Sequence, residues 1–276
     1  MSVEGQKQET LSSAVEAEGV SFAYDREDVL DGLSLTIGAG SFTGLLGPNG
    51  SGKTTLIQLL AGAFHPRAGQ VRVLGRELSS WDRRELARTV AVVPQRFDLA
   101  FPFTVEEVVL LGRVPHRGPL SLDSPDDLRV AREAMESTGV RDLAGRRITE
   151  LSGGEQKRVV VAKALAQQPK ILLLDEPAAH LDIRHQIGLY RLIDSIRRQT
   201  GLTVLSAMHD LNLAAAFCDR VALLKAGRLV ASGPIPEVMT YRRLSEVFET
   251  DIYVGVNDLT GHRLFSPMIG GTREAP

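Results

Sequence analysis

Residues Gly47 to Thr55 read GPNGSGKTT, between an apolar run from Phe42 to Leu46 and a second that begins at Leu56. Gly47 to Thr54 fits the spacing G-x-x-x-x-G-K-[S/T], in which glycines let successive backbone N–H groups close around phosphate oxygens. The stretch supplies Gly47, Pro48, Asn49, Gly50, Ser51, Gly52, Lys53, Thr54 and Thr55 as candidate binding residues. Lys53 is placed to reach the β and γ phosphates of a nucleotide, and the Thr54 hydroxyl to hold Mg²⁺. A strand before the loop and a helix from Lys53 to about Ala61 behind it give the order that phosphate binding requires. Alone, the loop indicates a nucleoside triphosphate and leaves kinases, GTPases and transport motors open.

Outward from the loop, Val20 to Tyr24, Leu33 to Ile37 and Gln70 to Val73 read as short strands. The nearly unbroken apolar runs ILLLD (Ile171 to Asp175) and TVLSAM (Thr203 to Met208) fit central strands of a parallel sheet covered on both faces. The fold class is therefore α/β. From about residue 96 to 150 the pattern turns helical, with breaks at Pro102, Pro115, Gly118, Pro119 and Pro125, as expected of an insertion into the sheet domain. Residues 1 to 17, rich in Glu, Gln and Ser, read as a flexible tail. After Gly233 a helical segment (Pro236 to Thr250) precedes a short polar stretch.

The chain has 276 residues, enough for a full core without covalent staples. Its single cysteine, Cys218, has no partner in the sequence and reads as a small buried residue. Lys and Arg number 32 against 34 Asp and Glu, so there is no broad basic footprint for nucleic acid, and any phosphate is bound locally. No apolar run of about 18 residues occurs, and the polar, acidic start lacks the blocks of a signal peptide. The expectation is a chain that neither crosses nor enters a membrane by itself.

The second half narrows the chemistry. ILLLDEP (Ile171 to Pro177) puts two acids at the carboxyl end of a buried strand, where ligands of open α/β sheets bind. Asp175 is placed to help hold Mg²⁺, and Glu176 to polarise an attacking water, which favours hydrolysis over transfer to a small molecule. LSGGEQKR (Leu151 to Arg158) opens a helix in which Ser152 and Glu155 have capping-box spacing. Two glycines inside the cap lower helix propensity by about 1 kcal/mol each relative to Ala, so something must approach the backbone there. A phosphate contacting Ser152, Gly153 and Gly154 at the helix N-terminus fits that requirement.

Taken together, GPNGSGKTT, LSGGEQ, ILLLDEP and His209, in this order and spacing, resemble the ATPase subunit of an ABC transporter over nearly the whole chain after the tail. The resemblance implies a P-loop NTPase core with a mixed, mostly parallel sheet, an N-terminal antiparallel β part and an inserted α-helical subdomain. It implies a tail at 1–17, an ATPase domain at 18–255 with its insertion at about 96–155, and a C-terminal tail at 256–276. ATP and Mg²⁺ are the implied cofactors. Tyr24, on an alternating strand, resembles the aromatic that stacks on adenine. Gln95, in VVPQ, resembles the glutamine that touches Mg²⁺ and the attacking water. His209 resembles the switch histidine that contacts the γ-phosphate. His180, in AHLD (Ala179 to Asp182), stands where the family usually has another residue.

In the family, the glycine loop of one copy faces the LSGGE helix of another across ATP, so a second copy of the chain is an implied partner. Transporter subunit, soluble ABC ATPase and nucleotide kinase are the competing classes. The DNA-repair types place hundreds of coiled-coil residues between loop and signature, whereas about 55 separate Gln95 from Leu151 here. FPFTVEEVVLLGRVPH (Phe101 to His116) and AHLDIRHQ (Ala179 to Gln186) resemble the subfamily importing iron(III)-siderophores, haem or cobalamin. That resemblance implies integral membrane permease subunits, a substrate-binding protein acting indirectly, no nucleic acid partner, and a peripheral position on the cytoplasmic face. Phe97, Phe101 and Phe103 are more apolar than a solvated insertion requires, and this region is the expected socket for a short permease helix.

Overall fold

The computed structural model describes residues 12–25, 27–97, 101–118 and 121–268. Along the chain run β1 (Ser13–Tyr24), β2 (Glu27–Gly38), β3 (Phe42–Leu46), α1 (Lys53–Leu60), β4 (Ala68–Val73) and β5 (Arg76–Glu77). There follow α2 (Arg83–Thr89), β6 (Val90–Val93), α3 (Val105–Leu110), α4 (Pro125–Thr138), α5 (Gly153–Ala166) and β7 (Ile171–Asp175). The last third holds α6 (Ile183–Thr200), β8 (Thr203–Met208), α7 (Leu211–Phe217), β9 (Arg220–Lys225) and β10 (Arg228–Pro234). It closes with α8 (Ile235–Val238), α9 (Tyr241–Phe248), β11 (Ile252–Val256) and β12 (Arg263–Pro267).

The main sheet has the order β10-β9-β3-β8-β7-β6, parallel throughout except for the β10–β9 pair. Its strands are apolar because both faces are covered, and successive side chains serve different cores. Leu172, Leu174, Val204, Met208, Val221 and Leu223 pack with α6, α7 and α9. Their neighbours Ile171, Leu173, Leu205, Ala207, Ala222 and Leu224 pack on the other side with α1 and the antiparallel sheet β2-β1-β4-β5. Cys218 is buried beside Met208, its sulfur 3.7 Å from the thioether, and burial pushes its thiol up.

A third core lies in the helical insertion. Val105, Val108 and Val109 of α3, Ala131 and Met135 of α4, and Val159, Ala162 and Ala166 of α5 form it. The expected edge of the insertion, at 155, falls within α5, whose other face (Val160, Val161, Ala164) belongs to the sheet core. Thr104 and Glu107 close a capping box at the start of α3.

Both expected tails require correction. β1 starts at Ser13, inside the stretch read as flexible at 1–17, and pairs with β2 on one side and β4 on the other. Ala14, Val15 and Ala17 are buried there, and their small size between glutamates conceals the strand. Residues 1–11 lie outside the described residues. At the other end, Val256 closes β11, and β12 folds back on it as an antiparallel hairpin within the stretch read as a tail at 256–276. The helical segment expected at Pro236 to Thr250 divides into α8 and α9.

Phe42, fully buried on β3, sits 6.4 Å from the Tyr190 ring. Phe42→Ala should destabilise the fold by about 3–5 kcal/mol through lost burial and a residual cavity, read as a lower urea midpoint with little change in slope.

Candidate nucleotide and catalytic site

The site is assembled by the register of the sheet. Leu46 pairs with Met208, Asp175 with Ala207, and Val93 with Leu174. Gly47, Glu176, His209 and the Gln95 segment therefore leave the sheet side by side, at the carboxyl ends of β3, β7, β8 and β6. A cleft of about 660 Å³ opens there, lined by Asn49 to Thr55, Gln95, Glu176, Ala179, His180, Gln186 and His209, with Val29.

Within the loop, the Lys53 ammonium donates to the carbonyls of Gly47 at 2.9 Å and Pro48 at 3.0 Å. Burial pushes it down from the usual lysine value, and the nearby Glu176 and Asp175 carboxylates oppose that shift. Gly47 has room for no side chain, since a Cβ there would lie 2.2 Å from the Leu224 carbonyl oxygen and 2.8 Å from Ser51 Oγ. Ser51 Oγ is buried without a hydrogen-bond partner, a polar atom left for a ligand of the loop.

The Thr54 hydroxyl donates to Asp175 Oδ1 at 3.1 Å. Burial raises the Asp175 carboxyl above its ordinary value; Thr54 counteracts this, and the Glu176 charge adds to it. Glu176 sits at φ 47, a left-handed conformation that is uncommon for a residue with a side chain. Its Oε1 is 2.5 Å from His209 Nε2, and its Oε2 accepts from Gln95 Nε2 at 2.6 Å. The arrangement gathers a carboxylate between an imidazole and an amide, beside a hydroxyl–carboxylate pair, at the mouth of an anion-binding loop. That set can orient a water and take up its proton.

Two lysines of α5 hold the segment carrying Gln95. Lys157 Nζ donates to the Gln95 carbonyl at 2.6 Å, and Lys163 Nζ lies 4.6 Å above the Phe97 ring. Burial pushes both ammonium groups down, with Asp175 opposing the shift at Lys157.

Not every expected residue reaches this cleft. Tyr24, half-exposed at the end of β1, packs edge-on against Phe22 and Phe64, with its hydroxyl 3.2 Å from Gln58 Oε1 and 3.5 Å from Thr55. Its ring stands next to the loop and outside the cleft lining. Ser152 and Gly153 also lie outside it. Ser152 Oγ accepts from the Glu155 N–H, and Glu155 accepts from the Ser152 N–H at 2.8 Å, completing the capping box. Gly153 lines a separate cavity of about 370 Å³ together with Gln95, Lys157 and His180. At Gly154 the group approaching the backbone is in the same chain: a Cβ would lie 2.8 Å from the His185 ring, which Asp182 holds at 2.7 Å. A side chain at Gly154 would therefore have to displace the His185 ring, a reason within the chain for glycine at this position.

His180 and His185 bear on the site without an assigned role in the sequence reading. His180 lies at φ 64, on the wall between the two cavities. The AHLDIRHQ stretch carried both, and only the fold shows that α6 begins against the start of α5.

A glycine loop behind a buried parallel strand, an acid pair ending the next strand but one, and polar residues at the same carboxyl ends of the sheet define a P-loop nucleoside triphosphatase. Residues 30–179 match the ABC transporter family, and the chain belongs to that family as an ATP-binding, ATP-hydrolysing cassette. The chain is 48% identical over 239 residues to the hemin import ATP-binding protein HmuV of Streptomyces coelicolor, covering 87% of this chain and 84% of that one. It is 44% identical over 239 residues to the uncharacterized ABC transporter ATP-binding protein YvrA of Bacillus subtilis, covering 86% of this chain. The match spans about half of that relative's length, 54%. Among solved structures, an inward-facing metal-chelate type ABC transporter superposes with a TM-score of 0.84 at 26% identity, over 94% of this chain and 98% of that one.

Gly47→Ala should displace the loop from Leu224. A fluorescent ATP analogue that wild-type protein binds should then show at least about tenfold weaker binding, while circular dichroism stays that of a folded α/β protein.

Proposed function

We propose that this chain is the ATP-hydrolysing motor subunit of an importer for haem or a related iron chelate, acting as two identical copies beneath a membrane permease. The observation that carries the catalytic part is Glu176 held between His209 and Gln95 at the sheet edge. In this reading the loop N–H groups and Lys53 hold the ATP phosphates, the Tyr24 ring meets adenine, and His209 meets the γ-phosphate. Glu176 orients the attacking water and takes its proton on a carboxylate oxygen.

The donors around Thr54 suit Mg²⁺. They are oxygens, and the Thr54 hydroxyl and Asp175 carboxylate already meet at 3.1 Å. Thr54, Asp175 and the Gln95 amide oxygen would hold the ion, which when bound neutralises charge on the phosphate oxygens.

The separation of Ser152 and Gly153 from the cleft supports a composite site, completed when a second copy presents its α5 N-terminus. Phe101, Leu111 and Val114 are exposed on either side of α3 and would face a permease helix. Phe97 and Phe103 pack inward instead, which narrows the socket expected from the sequence. Among the described residues no helix is long and apolar enough to cross a membrane. On the proposed reading the chain works at the cytoplasmic face, and a binding protein delivers the cargo to the permease. The cargo rests on likeness to the hemin import protein and to the metal-chelate transporter; cobalamin or another solute, or a role outside transport, is the competing reading. Stimulation of ATP hydrolysis in a reconstituted permease complex by haem-loaded binding protein, and none by the cobalamin-loaded form, is the expected result. Failure to copurify with any permease would argue for a soluble motor.

The two carboxylates should separate by mutation. Glu176→Gln keeps the hydrogen-bonding shape and removes the base, so ATP should still close the dimer while hydrolysis falls by at least about 10²-fold. Asp175→Asn should weaken Mg²⁺ retention and with it the closed state. Gel filtration with ATP and Mg²⁺ should show Glu176→Gln as a dimer at concentrations where Asp175→Asn is mostly monomer; two monomeric variants with normal nucleotide affinity would contradict the assignment.

A further inference from the structure

The C-terminal hairpin ends beside the histidine of the site. β11 and β12 pair from Ile252↔Pro267 to Val256↔Arg263. Ile252 and Phe265 are buried in the sheet core, so the hairpin is seated on the domain. Below it, α9 is tied to β9 by Lys225, whose ammonium donates to the Glu246 carbonyl at 2.6 Å and pairs with Glu249 at 2.9 Å.

On the side facing α7, both backbone groups of Phe265 are taken by one side chain. Asn212 Oδ1 accepts from the Phe265 N–H at 2.8 Å, and Asn212 Nδ2 donates to the Phe265 carbonyl at 3.1 Å. The amide thus pairs with the outer edge of β12 as another strand would. Asn212 lies in the first turn of α7, where Asp210 accepts from the Asn212 N–H at 2.7 Å and the Leu213 N–H at 3.0 Å. His209 immediately precedes that cap. A cavity of about 350 Å³, lined by His209, Asp210, Asn212, Phe248, Phe265 and Pro267, separates the histidine from the hairpin. The Asn212 amide therefore ties the hairpin directly to the first turn of α7, whose Leu211 and Leu213 pack against the sheet core.

We propose that Asn212 is a positioning residue for His209: through it the C-terminal hairpin fixes the first turn of α7 and sets the imidazole against Glu176. The proposal rests on the role given to His209 above, and it assigns a task to β11 and β12, which lie beyond the family-matched residues 30–179. The geometry asks Asn212 for both hydrogen-bonding roles at once. Alanine removes both, and aspartate keeps only the acceptor facing the Phe265 N–H.

The test compares Asn212→Ala, Asn212→Asp, His209→Ala and the double variant His209→Ala/Asn212→Ala in the full chain, by single-turnover hydrolysis of labelled ATP. Asn212→Ala should lower the rate roughly tenfold with KM for ATP within about twofold of wild type, less than the ~10²-fold that a 1 Å misplacement of a reacting group can cost. Asn212→Asp should recover part of the loss. The double variant should be no slower than His209→Ala, because residues acting as a unit are not additive. Tyr253→Ser, on the exposed side of the same hairpin, should leave the rate unchanged. In selectively labelled protein without nucleotide, Asn212→Ala should move the His209 ring resonances and leave those of His116 in place. An equal loss in the His209→Ala background, an unchanged rate, or unmoved His209 resonances would overturn the proposal. If wild-type protein hydrolyses no ATP, the functional reading fails by itself, and the His209 resonances alone decide whether Asn212 positions the ring.

Discussion

A strand buried on both faces leaves its polar chemistry one outlet, its end. β3, β7 and β8 present apolar side chains to two cores in alternation, and a charge in mid-strand would be desolvated on either side. The register then decides which ends meet. Because Leu46, Asp175 and Met208 finish at neighbouring levels, the glycine loop, the acid pair and His209 emerge at one edge although 162 positions separate residues 47 and 209. The left-handed Glu176 turns the chain away directly behind the strand, and local strain of this kind persists only where surrounding contacts fix it. At Glu176 those contacts come from Gln95 and His209, one on each oxygen.

The helical insertion reaches the same edge through α5. One face of that helix lies in the insertion core and the other in the sheet core. Its N-terminal turn lies beside the His185 ring, and its Lys157 and Lys163 hold the strand-exit segment at Gln95 and Phe97. A displacement of α5 therefore cannot leave Gln95 behind without breaking a short hydrogen bond to a half-buried ammonium and a cation–π contact. Gln95 in turn bears on Glu176. The path from insertion to carboxylate runs from Lys157 to the Gln95 carbonyl and from the Gln95 amide to Glu176, with the Lys163–Phe97 contact beside it.

What could be read in the sequence was what local chemistry writes there. The Gly47 to Thr55 loop, the apolar runs before Glu176 and His209, and the Ser152 cap each follow from residues adjacent in the chain, and the fold class followed with them. What depends on distant partners was hidden. The first turns of β1 look like a polar tail because Ala14, Val15 and Ala17 are small; their burial is supplied by β2 and β4. The hairpin at the other end lacks a clear strand pattern because exposed apolar residues, Tyr253, Val256 and Leu264, stand beside the buried Ile252 and Phe265. Gly154 shows the limit most clearly: the His185 ring stands where its side chain would go, a neighbour 31 positions away that only the fold brings there.

The same geometry sets a condition on catalysis in the proposed reading. Glu176 has one oxygen on the imidazole and the other on the Gln95 amide, so a water brought to this carboxylate meets oxygens that are already engaged. Each carboxylate oxygen has a second acceptor site, and Glu176 can therefore receive the water without releasing both neighbours. The two neighbours are held from different parts of the fold. Gln95 is anchored through its backbone to α5, whereas His209 is anchored through the first turn of α7 to the hairpin at Phe265. Motion of the insertion would loosen the amide, and motion of the hairpin would loosen the imidazole. The base is thus held between two separate supports, and the water-polarising arrangement requires both supports to be seated at once.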